Sequence, residues 1–318
     1  MMERVLLWGN GCTYLQRKQL LKFEIYKKNI ECVALCAQDY YAKCVDNIPV
    51  IKVSDVMQYS FEWVLVFSDG LFREIRKEAI SMGVSPERIL NSRCLTIKDF
   101  DFSRYVSLIT NPISIVTRDC LAAKIYHYLG LQFTSPFILY AFTESEEFYR
   151  VCNNLDYYLN KEIVCLKEAD IKRAEGPFGV IGEGEKAVNV DLLHYSSVKE
   201  ANEAWIRRKQ RINYQNILYI CRVVDENERR EFESIPSEKK VAFTTDKNLE
   251  GGKIHYLPRY TYMTQKSCRS SGYSFAAYLR EIDNMAHSID LLKLLTGDED
   301  YMIETPLDDS DGARVLNA

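Results

Sequence analysis

The stretch that decides the fold is VNVDLLHYSSVKEANEAWIRRKQRIN, residues 188–213. Its first six residues, Val188 to Leu193, are rich in valine and leucine and predict a buried strand. A polar turn follows, and helical spacing of apolar residues then extends from Val198 to Arg211. Ser197 stands where the helix begins and Glu200 comes three residues later, which is the spacing of a capping box. A strand, a turn and a helix in succession indicate an α/β fold.

The N-terminal part of the chain repeats this alternation of strand and helix. Short apolar runs that predict buried strands are separated by amphipathic patterns that predict helices. Such alternation builds a parallel sheet. Residues 1–103 are therefore predicted to form a Rossmann-like α/β domain. Its main predicted strands are Val5–Trp8, Cys32–Cys36 and Trp63–Phe67, and its main predicted helices are Tyr14–Lys28 and Leu71–Met82.

The remainder of the chain predicts a second α/β domain of three layers over residues 104–296. Its last helix is expected at Phe275–Leu295, where apolar residues form one stripe. Residues 297–318 are acidic and polar and predict a flexible tail. The principal predicted elements of this domain are strands at Ile113–Thr117, Phe137–Phe142, Ile163–Leu166, Val188–Leu193, Ile217–Cys221 and Val241–Thr244, and helices at Leu121–Tyr128, Glu146–Leu159 and Val198–Arg211.

The composition is that of a globular protein and argues against several functional classes of protein. A net charge of −4 disfavours a nucleic-acid binder, whose footprint is usually basic. No apolar run approaches the length of a membrane span, and the N-terminus has no apolar stretch long enough for a signal peptide, so we expect a cytoplasmic protein. The 10 cysteines include no Cys-x-x-Cys pair and the 4 histidines are not paired, so the sequence predicts neither disulfides nor a metal site.

A glycine turn after the first strand is a candidate nucleotide site. Gly9 and Gly11 lie where a Rossmann fold presents backbone N–H groups to a phosphate. Tyr14 replaces the third glycine of that motif, and its side chain would crowd the helix against the strand and push a pyrophosphate away. Asp39, beyond the second strand, is the candidate for binding a ribose hydroxyl. The alternative is a Rossmann-like scaffold that binds no cofactor.

Cys120 and His194 are the candidate catalytic residues. Each follows a predicted strand, and the carboxyl ends of parallel strands line one crevice. Cys120 also begins a helix, a position at which thiol pKa values are lowered. A cysteine–histidine pair there would support acyl transfer. Arg118 and Asp119 are candidate substrate-binding residues beside Cys120, whereas the alternative is an inert buried thiol and a structural histidine.

Arginines at the end of the helix in residues 198–211 form a candidate anion site. Arg207 and Arg211 are four residues apart and share a helix face, and Arg208 lies beside them. Guanidinium groups suit the recognition of phosphate and carboxylate, and Tyr195 is assigned to the same site. The alternative is a solvated helix face, because cations favour helix C-termini. Trp205 is predicted to belong to the core.

Four segments occur in a recognisable order. They are Thr117-Arg118-Asp119-Cys120, then Leu129-Gly130-Leu131 with Ser135-Pro136, then Asn154-Leu155-x-Tyr157-Tyr158-Leu159, and last His194-Tyr195 followed by Trp205-x-Arg-Arg-x-x-Arg-Ile-Asn. Together they resemble a bacterial family known as domain of unknown function 1919, over about residues 106–222. Thr117 and Arg118 stand where that family usually has Ser and Asn, and Ala122-Ala123 where it often has Gly-Gly.

The resemblance implies a role in exopolysaccharide or capsule synthesis, with which the family is associated. We therefore expect a transferase, glycosyl or acyl, that acts on a nucleotide-activated or phosphorylated sugar. In that scheme His194 is the general base, the arginines neutralise phosphate, and Cys120 is the nucleophile or a wall of the pocket. The expected partner is a small anionic ligand, and a homo-oligomer is left open.

Two other functions are weighed against the transferase. One is a non-catalytic protein that binds a nucleotide sugar or acts as a scaffold in a glycan-assembly system, using the same pocket. The other is a methyltransferase or oxidoreductase that uses the first domain, and the incomplete glycine motif argues against it.

Overall fold

The computed structural model describes residues 2–38, 43–142, 144–165, 178–192, 194–257 and 288–303. The chain divides into two compact units, Met1–Asn111 and Pro112–Ala318. Both contain helices and strands, which confirms the α/β fold class. The boundary predicted after residue 103 falls inside a helix, Phe102–Thr110, of the first unit. Asp39 and most of the helix predicted at Phe275–Leu295 lie outside the described residues.

The first unit is built on one sheet with helices between its strands. Its strands are β1 (Glu3–Trp8), β2 (Ile30–Cys36), β3 (Cys44–Val45), β4 (Ile48–Ile51), β5 (Trp63–Val66) and β6 (Ile89–Asn91). Its helices are α1 (Cys12–Tyr26), α2 (Phe72–Ser81) and α3 (Phe102–Thr110), and 3-10 helices lie at Val53–Gln58, Pro86–Arg88 and Ser92–Thr96.

The strand order of this sheet is β3-β4-β2-β1-β5-β6 in the described part of the chain. All neighbouring pairs are parallel except β3 with β4, which form an antiparallel edge. The order reverses between β1 and β5, as in a Rossmann fold. Val5–Trp8 are all at most 2% exposed, because helices cover both faces of such a sheet. The prediction of a Rossmann-like parallel sheet is therefore confirmed.

The second unit contains more and shorter elements. Its strands are β7 (Ser114–Thr117), β8 (Ala141–Phe142), β9 (Ile163–Cys165), β10 (Phe178–Ile181), β11 (Val188–Asp191), β12 (Ile217–Arg222), β13 (Lys240–Thr244) and β14 (Ile254–Tyr256). Its helices are α4 (Leu121–Leu129), α5 (Ser145–Asn153), α6 (Leu155–Leu159), α7 (Val198–Lys209), α8 (Glu226–Ser234) and α9 (Leu291–Thr296), with 3-10 helices at Gly184–Lys186 and Lys247–Leu249.

Among the described residues, the second unit has two four-stranded sheets. The order β14-β13-β12-β7 is entirely parallel, whereas the order β8-β11-β10-β9 is entirely antiparallel. The connection between β10 and β11 spans residues 182–187, which is too short for the crossover that parallel strands require. The strand of the stretch 188–213 therefore lies in a hairpin and not in the parallel sheet.

An aromatic cluster forms the core of the second unit. Trp205 of α7 is fully buried, and its ring makes edge contacts with Phe137 and Tyr140 at centroid distances of 5.2 and 5.9 Å. The indole Nε1 donates a hydrogen bond of 2.9 Å to the Lys161 carbonyl oxygen, so its polar group is satisfied. The prediction that Trp205 belongs to the core is confirmed.

The start of the segment predicted as a flexible tail is packed in the structure. Gly297 ends α9 with a left-handed φ of 86°, a conformation that glycine adopts freely. The chain then turns back, so that Met302 pairs with Ile289 and the Tyr301 hydroxyl lies 2.5 Å from His255 Nε2. Residues 304–318 lie outside the described residues.

Within the described part of the chain, every helix is too short or too polar to cross a lipid bilayer.

Candidate functional site

Charged side chains lie at the carboxyl end of the parallel sheet in the second unit. Arg118 and Asp119 follow β7 directly, and Arg222 is the last residue of β12, the neighbour of β7 in the sheet. Ligands of open α/β sheets bind in the crevice outside such strand ends. We call Arg118, Asp119, Cys120, Asp191 and Arg222 the carboxyl-edge cluster.

The N-terminus of α4, next to this edge, is closed by side chains of the loop before it. The Asp119 carboxylate accepts a hydrogen bond of 3.0 Å from the Leu121 N–H, and Thr117 Oγ1 accepts one of 3.3 Å from the Ala122 N–H. The Thr117 hydroxyl donates to the Asp119 carbonyl oxygen at 2.7 Å, which holds the loop together. These amides are therefore occupied, and Asp119 supplies the negative charge that a helix N-terminus favours.

Cys120 lies at the predicted helix start but does not have the predicted acidity. Burial, helped by the carboxylates of Asp119 and Asp191 and opposed by Lys124, raises the pKa of its thiol to about 12. The expectation of a lowered pKa is wrong, chiefly because the thiol is buried and secondly because the Asp119 carboxylate is close to it. A thiol with this pKa is almost entirely protonated at neutral pH, and a catalytic role for Cys120 remains a prediction.

We expect Cys120 to resist alkylation in the native protein. With a pKa near 12, it has roughly a thousandfold less thiolate at pH 8 than an unperturbed cysteine. Iodoacetamide should therefore modify the exposed Cys12 and Cys44 first, as followed by peptide mass spectrometry over time. Modification of Cys120 as fast as that of Cys12 would contradict the account.

Arg118 is held in place by a buried carboxylate. Its Nη1 lies 3.3 Å from Glu228 Oε1, and Glu228 Oε2 accepts a hydrogen bond of 3.1 Å from the Val224 N–H. Glu228 is 7% exposed, whereas 26% of the Arg118 side chain faces solvent. The Arg118 carbonyl oxygen also accepts a hydrogen bond from Phe142, which joins the end of β7 to β8. Glu228 thus fixes the position of the Arg118 guanidinium group, and the other N–H donors of this group can bind a ligand.

Arg222 is the residue of this edge that sequence reasoning missed. Its Nε is buried and has no hydrogen-bond partner among the described residues. A buried donor without an acceptor is costly, and the cost is greater for a charged group. An anionic ligand at the strand end would supply the missing acceptor. The signal available in the sequence was its position, immediately after the strand predicted at Ile217–Cys221 and one strand away from Arg118.

Asp191 brings the antiparallel sheet to the same site. It ends β11, pairs with Ala141 of β8, and lies close enough to Cys120 to raise the pKa of that thiol. Sequence reasoning also missed this residue, since it was assigned to the interior of a strand. The strand ends at Asp191, and the chain reaches the exposed His194 three residues later.

The structure does not place His194 and Cys120 at the ends of one parallel sheet. The prediction that it would do so is wrong, because β11 and β7 belong to different sheets. Asp191, the last residue of β11, nevertheless lies close enough to Cys120 for its charge to raise the pKa of that thiol. The side chain of His194 is exposed and available to a ligand in solution.

The three arginines predicted to bind an anion have different environments. Arg208 is 9% exposed, and its Nη1 donates hydrogen bonds to the Tyr195 hydroxyl at 2.6 Å and the Ile138 carbonyl oxygen at 3.1 Å. The Tyr195 hydroxyl donates in turn to the same carbonyl oxygen. Arg208 and Tyr195 therefore hold separate chain segments together. Arg207, on α7, and Arg211, two residues beyond the end of the helix at Lys209, are exposed, and anion binding by them remains a prediction.

The capping pattern at the start of α7 is confirmed with one change. Ser197 is the N-cap, and its Oγ accepts a hydrogen bond of 3.2 Å from the Glu200 N–H. The Glu200 carboxylate binds Ser196 and not Ser197, at 2.9 Å from the backbone nitrogen and 2.6 Å from Oγ. The reciprocal bond is thus displaced by one residue, which fixes the turn after His194.

Gly9 and Tyr14 of the predicted nucleotide turn both lie against Phe67. Gly9 has a φ of 105°, and an added Cβ would lie 3.1 Å from the Phe67 carbonyl oxygen. Tyr14 is 1% exposed, packs edge-on against the Phe67 ring at 5.3 Å, and bonds through its hydroxyl to Asp46 at 3.1 Å. Its side chain therefore fills space beside the turn, as its size predicts. Nucleotide binding by Gly9, Gly11 and Asp39 remains a prediction.

Among the described residues, no group of three or more histidine, cysteine or carboxylate side chains is arranged to hold a metal ion.

The fold and the carboxyl-edge cluster define an α/β protein whose second unit carries charged residues at the ends of parallel strands. The chain belongs to the family described as domain of unknown function (DUF1919), whose model matches residues 91–288, and the resemblance found in the sequence is thereby confirmed. Residues 1–90 match a second model, described as C2185-like, N-terminal. An uncharacterized protein of Haemophilus influenzae is 27% identical over 135 residues, which cover 42% of this chain and 61% of that protein.

Proposed function

We propose that this protein is a cytoplasmic transferase of bacterial exopolysaccharide or capsule synthesis, acting on a nucleotide-activated or phosphorylated sugar. The observation that carries the proposal is Arg222, at the carboxyl end of a parallel sheet, whose buried Nε has no acceptor in the part of the chain that the structure describes. Guanidinium groups bind phosphate oxygens with well-defined geometry. The polysaccharide context rests on the association of the family.

In this proposal Arg222 binds the phosphate of the donor, and Arg118, held by Glu228, binds it from the neighbouring strand end. Arg207 and Arg211 are exposed, but Asn213, two residues after Arg211, donates a hydrogen bond to Ser114 at the amino end of β7, so this proposal assigns them no contact with the phosphate. His194 accepts the proton of the attacking acceptor hydroxyl, which is a frequent role of imidazole. Cys120 borders the donor and forms no bond to it.

The test is a titration of the full chain with a panel of nucleotide sugars and sugar phosphates, followed by an assay of nucleotide release. The proposal expects saturable binding of at least one member and turnover when an acceptor is supplied. Binding of none of them would contradict it.

We expect His194→Ala to lose turnover and keep affinity. Removal of a general base lowers kcat by about 10²–10⁴-fold, whereas the phosphate contacts through Arg118 and Arg222 are unchanged. The matched control is His127→Ala, because His127 is also exposed and lies on α4. Steady-state kinetics and calorimetry separate the two effects. Equal kcat values for the two variants would assign the base to another residue.

A second function is favoured by the chemistry of Cys120. Because burial and two carboxylates raise the pKa of this thiol, the site has no activated cysteine nucleophile. A non-catalytic protein that binds a nucleotide sugar or acts as a scaffold in glycan assembly requires none. It would bind ligand through Arg222 and show no turnover with any acceptor, which is the outcome that distinguishes it from the transferase.

A further inference from the structure

Helix α1 exposes four large apolar side chains on one face, which we call the α1 stripe. Their exposed fractions are 60% for Leu15, 41% for Leu20, 57% for Phe23 and 82% for Tyr26. At 3.6 residues per turn, the four lie within an arc of about 140°. In the described part of the chain, the exposed large apolar side chains outside α1 are spread singly over different segments. The stripe is therefore a concentrated feature of the surface.

The stripe is not the side by which α1 packs onto its own sheet. That side carries Tyr14 and Leu21, both 1% exposed. The helix thus carries large apolar side chains on two opposite sides, and its own unit buries only one of these sides. Large exposed apolar patches with polar rims mark interaction sites.

The cations of α1 are neutralised within the first unit. Arg17 Nη2 lies 2.6 Å from Asp69 Oδ2, and the Nζ atoms of Lys22 and Lys18 lie 2.7 and 3.8 Å from the carboxylate oxygens of Asp46. Two copies of this face would therefore meet without strong repulsion between like charges. A strongly charged partner would find these cations already paired with carboxylates of the first unit. The stripe therefore favours a partner surface that is apolar, such as the same stripe of a second copy.

The apolar area of the stripe agrees with that of a dimer interface. At about 200 Å² for a fully exposed large side chain, its exposed fractions correspond to roughly 500 Å². A standard interface buries about 800 Å² per partner, and a homodimer interface is about 65% apolar, which again gives roughly 500 Å². We propose that the α1 stripe is the contact surface of a symmetric dimer of this chain, in which the same residues of both copies face each other.

The test is the mass of the full chain in solution, measured by sedimentation equilibrium over a range of concentrations. The wild-type chain is expected to approach twice the 37.0 kDa of one copy. The double variant Leu15→Glu, Tyr26→Glu should show half the wild-type mass, because it places carboxylates at both ends of the stripe. Neither residue takes part in the ion pairs of α1, and circular dichroism would verify that the variant folds.

The matched control is Met57→Glu, which alters an equally exposed apolar side chain, 53% accessible, outside the stripe. It should remain a dimer. A wild-type chain that stays at 37.0 kDa at every concentration would overturn the proposal, as would a dimer that the stripe variant leaves intact. A dimer lost equally in the Met57 variant would show that the contact lies elsewhere.

Discussion

Arg222→Met is expected to weaken binding of the phosphorylated ligand by roughly 30-fold or more. Removing one partner of a buried charge pair costs about 2–5 kcal/mol, and each 1.4 kcal/mol is tenfold in Kd. In the unliganded protein the same substitution removes a buried donor that has no acceptor among the described residues. The free energy of unfolding should therefore stay unchanged or rise, since an apolar side chain needs no partner.

Calorimetric titration and thermal unfolding of the variant provide the two measurements. The matched control is Arg230→Met, an exposed arginine on α8 that lies outside the carboxyl-edge cluster. It should keep the wild-type Kd. Loss of stability in the Arg222 variant with unchanged affinity would assign Arg222 a structural role and contradict the proposed site.

Trp205→Ala is expected to destabilise the protein by about 3–5 kcal/mol, the range for removing a large aromatic side chain from a core. The substitution leaves a cavity beside Phe137 and Tyr140, and it also removes the shorter of the two hydrogen bonds that the Lys161 carbonyl oxygen accepts. Because most domains are stable by about 5–15 kcal/mol, this change removes a large share of the total. Urea unfolding monitored by circular dichroism measures it.

Trp205→Phe is the control that separates packing from hydrogen bonding. This variant keeps an aromatic ring in the cluster and removes the indole N–H. Its free energy of unfolding should therefore fall by less than that of Trp205→Ala. A decrease of less than about 1 kcal/mol in the free energy of unfolding of Trp205→Ala would be typical of a surface residue. Such a result would contradict the placement of α7 against the core.

The elements that the sequence predicts best are those with unambiguous patterns. The apolar run predicted at Trp63–Phe67 forms a strand at Trp63–Val66, and the helix predicted from Val198 begins there behind the Ser197 cap. By contrast, the single helix predicted at Glu146–Leu159 is broken at Asn154, whose φ of −135° is not helical. The first of the two resulting helices begins at Ser145 behind the N-cap Glu144.

Sheet membership was harder to predict than strand position. An apolar run such as Val188–Leu193 fits a parallel or an antiparallel strand equally well, and the partner decides which it becomes. The short connection before it, residues 182–187, was the available evidence for a hairpin. Of the apolar residues predicted as a strand at Phe137–Phe142, only Ala141 and Phe142 form one.

In the candidate site, too, the sequence predicts where a residue lies along the chain and does not predict what surrounds its side chain. The sequence correctly places Cys120 at the start of a helix, but the pKa of its thiol depends on burial and on the nearby carboxylates of Asp119 and Asp191. Spacing likewise groups Arg208 with Arg207 and Arg211, and gives no sign that its acceptors come from Ile138 and Tyr195. Such partners are distant in sequence, so local patterns do not reveal them.

The central claim is that a phosphate-bearing ligand binds at the carboxyl end of the sheet that contains β7 and β12. The most direct measurement is a crystal structure of the full chain with the tightest-binding nucleotide sugar of the panel. The account predicts a phosphate oxygen within hydrogen-bonding distance of Arg222 Nε, with Arg118 on the same phosphate group. A phosphate bound instead at the Gly9–Gly11 turn, or on Arg207 and Arg211 with Arg222 unengaged, would contradict it.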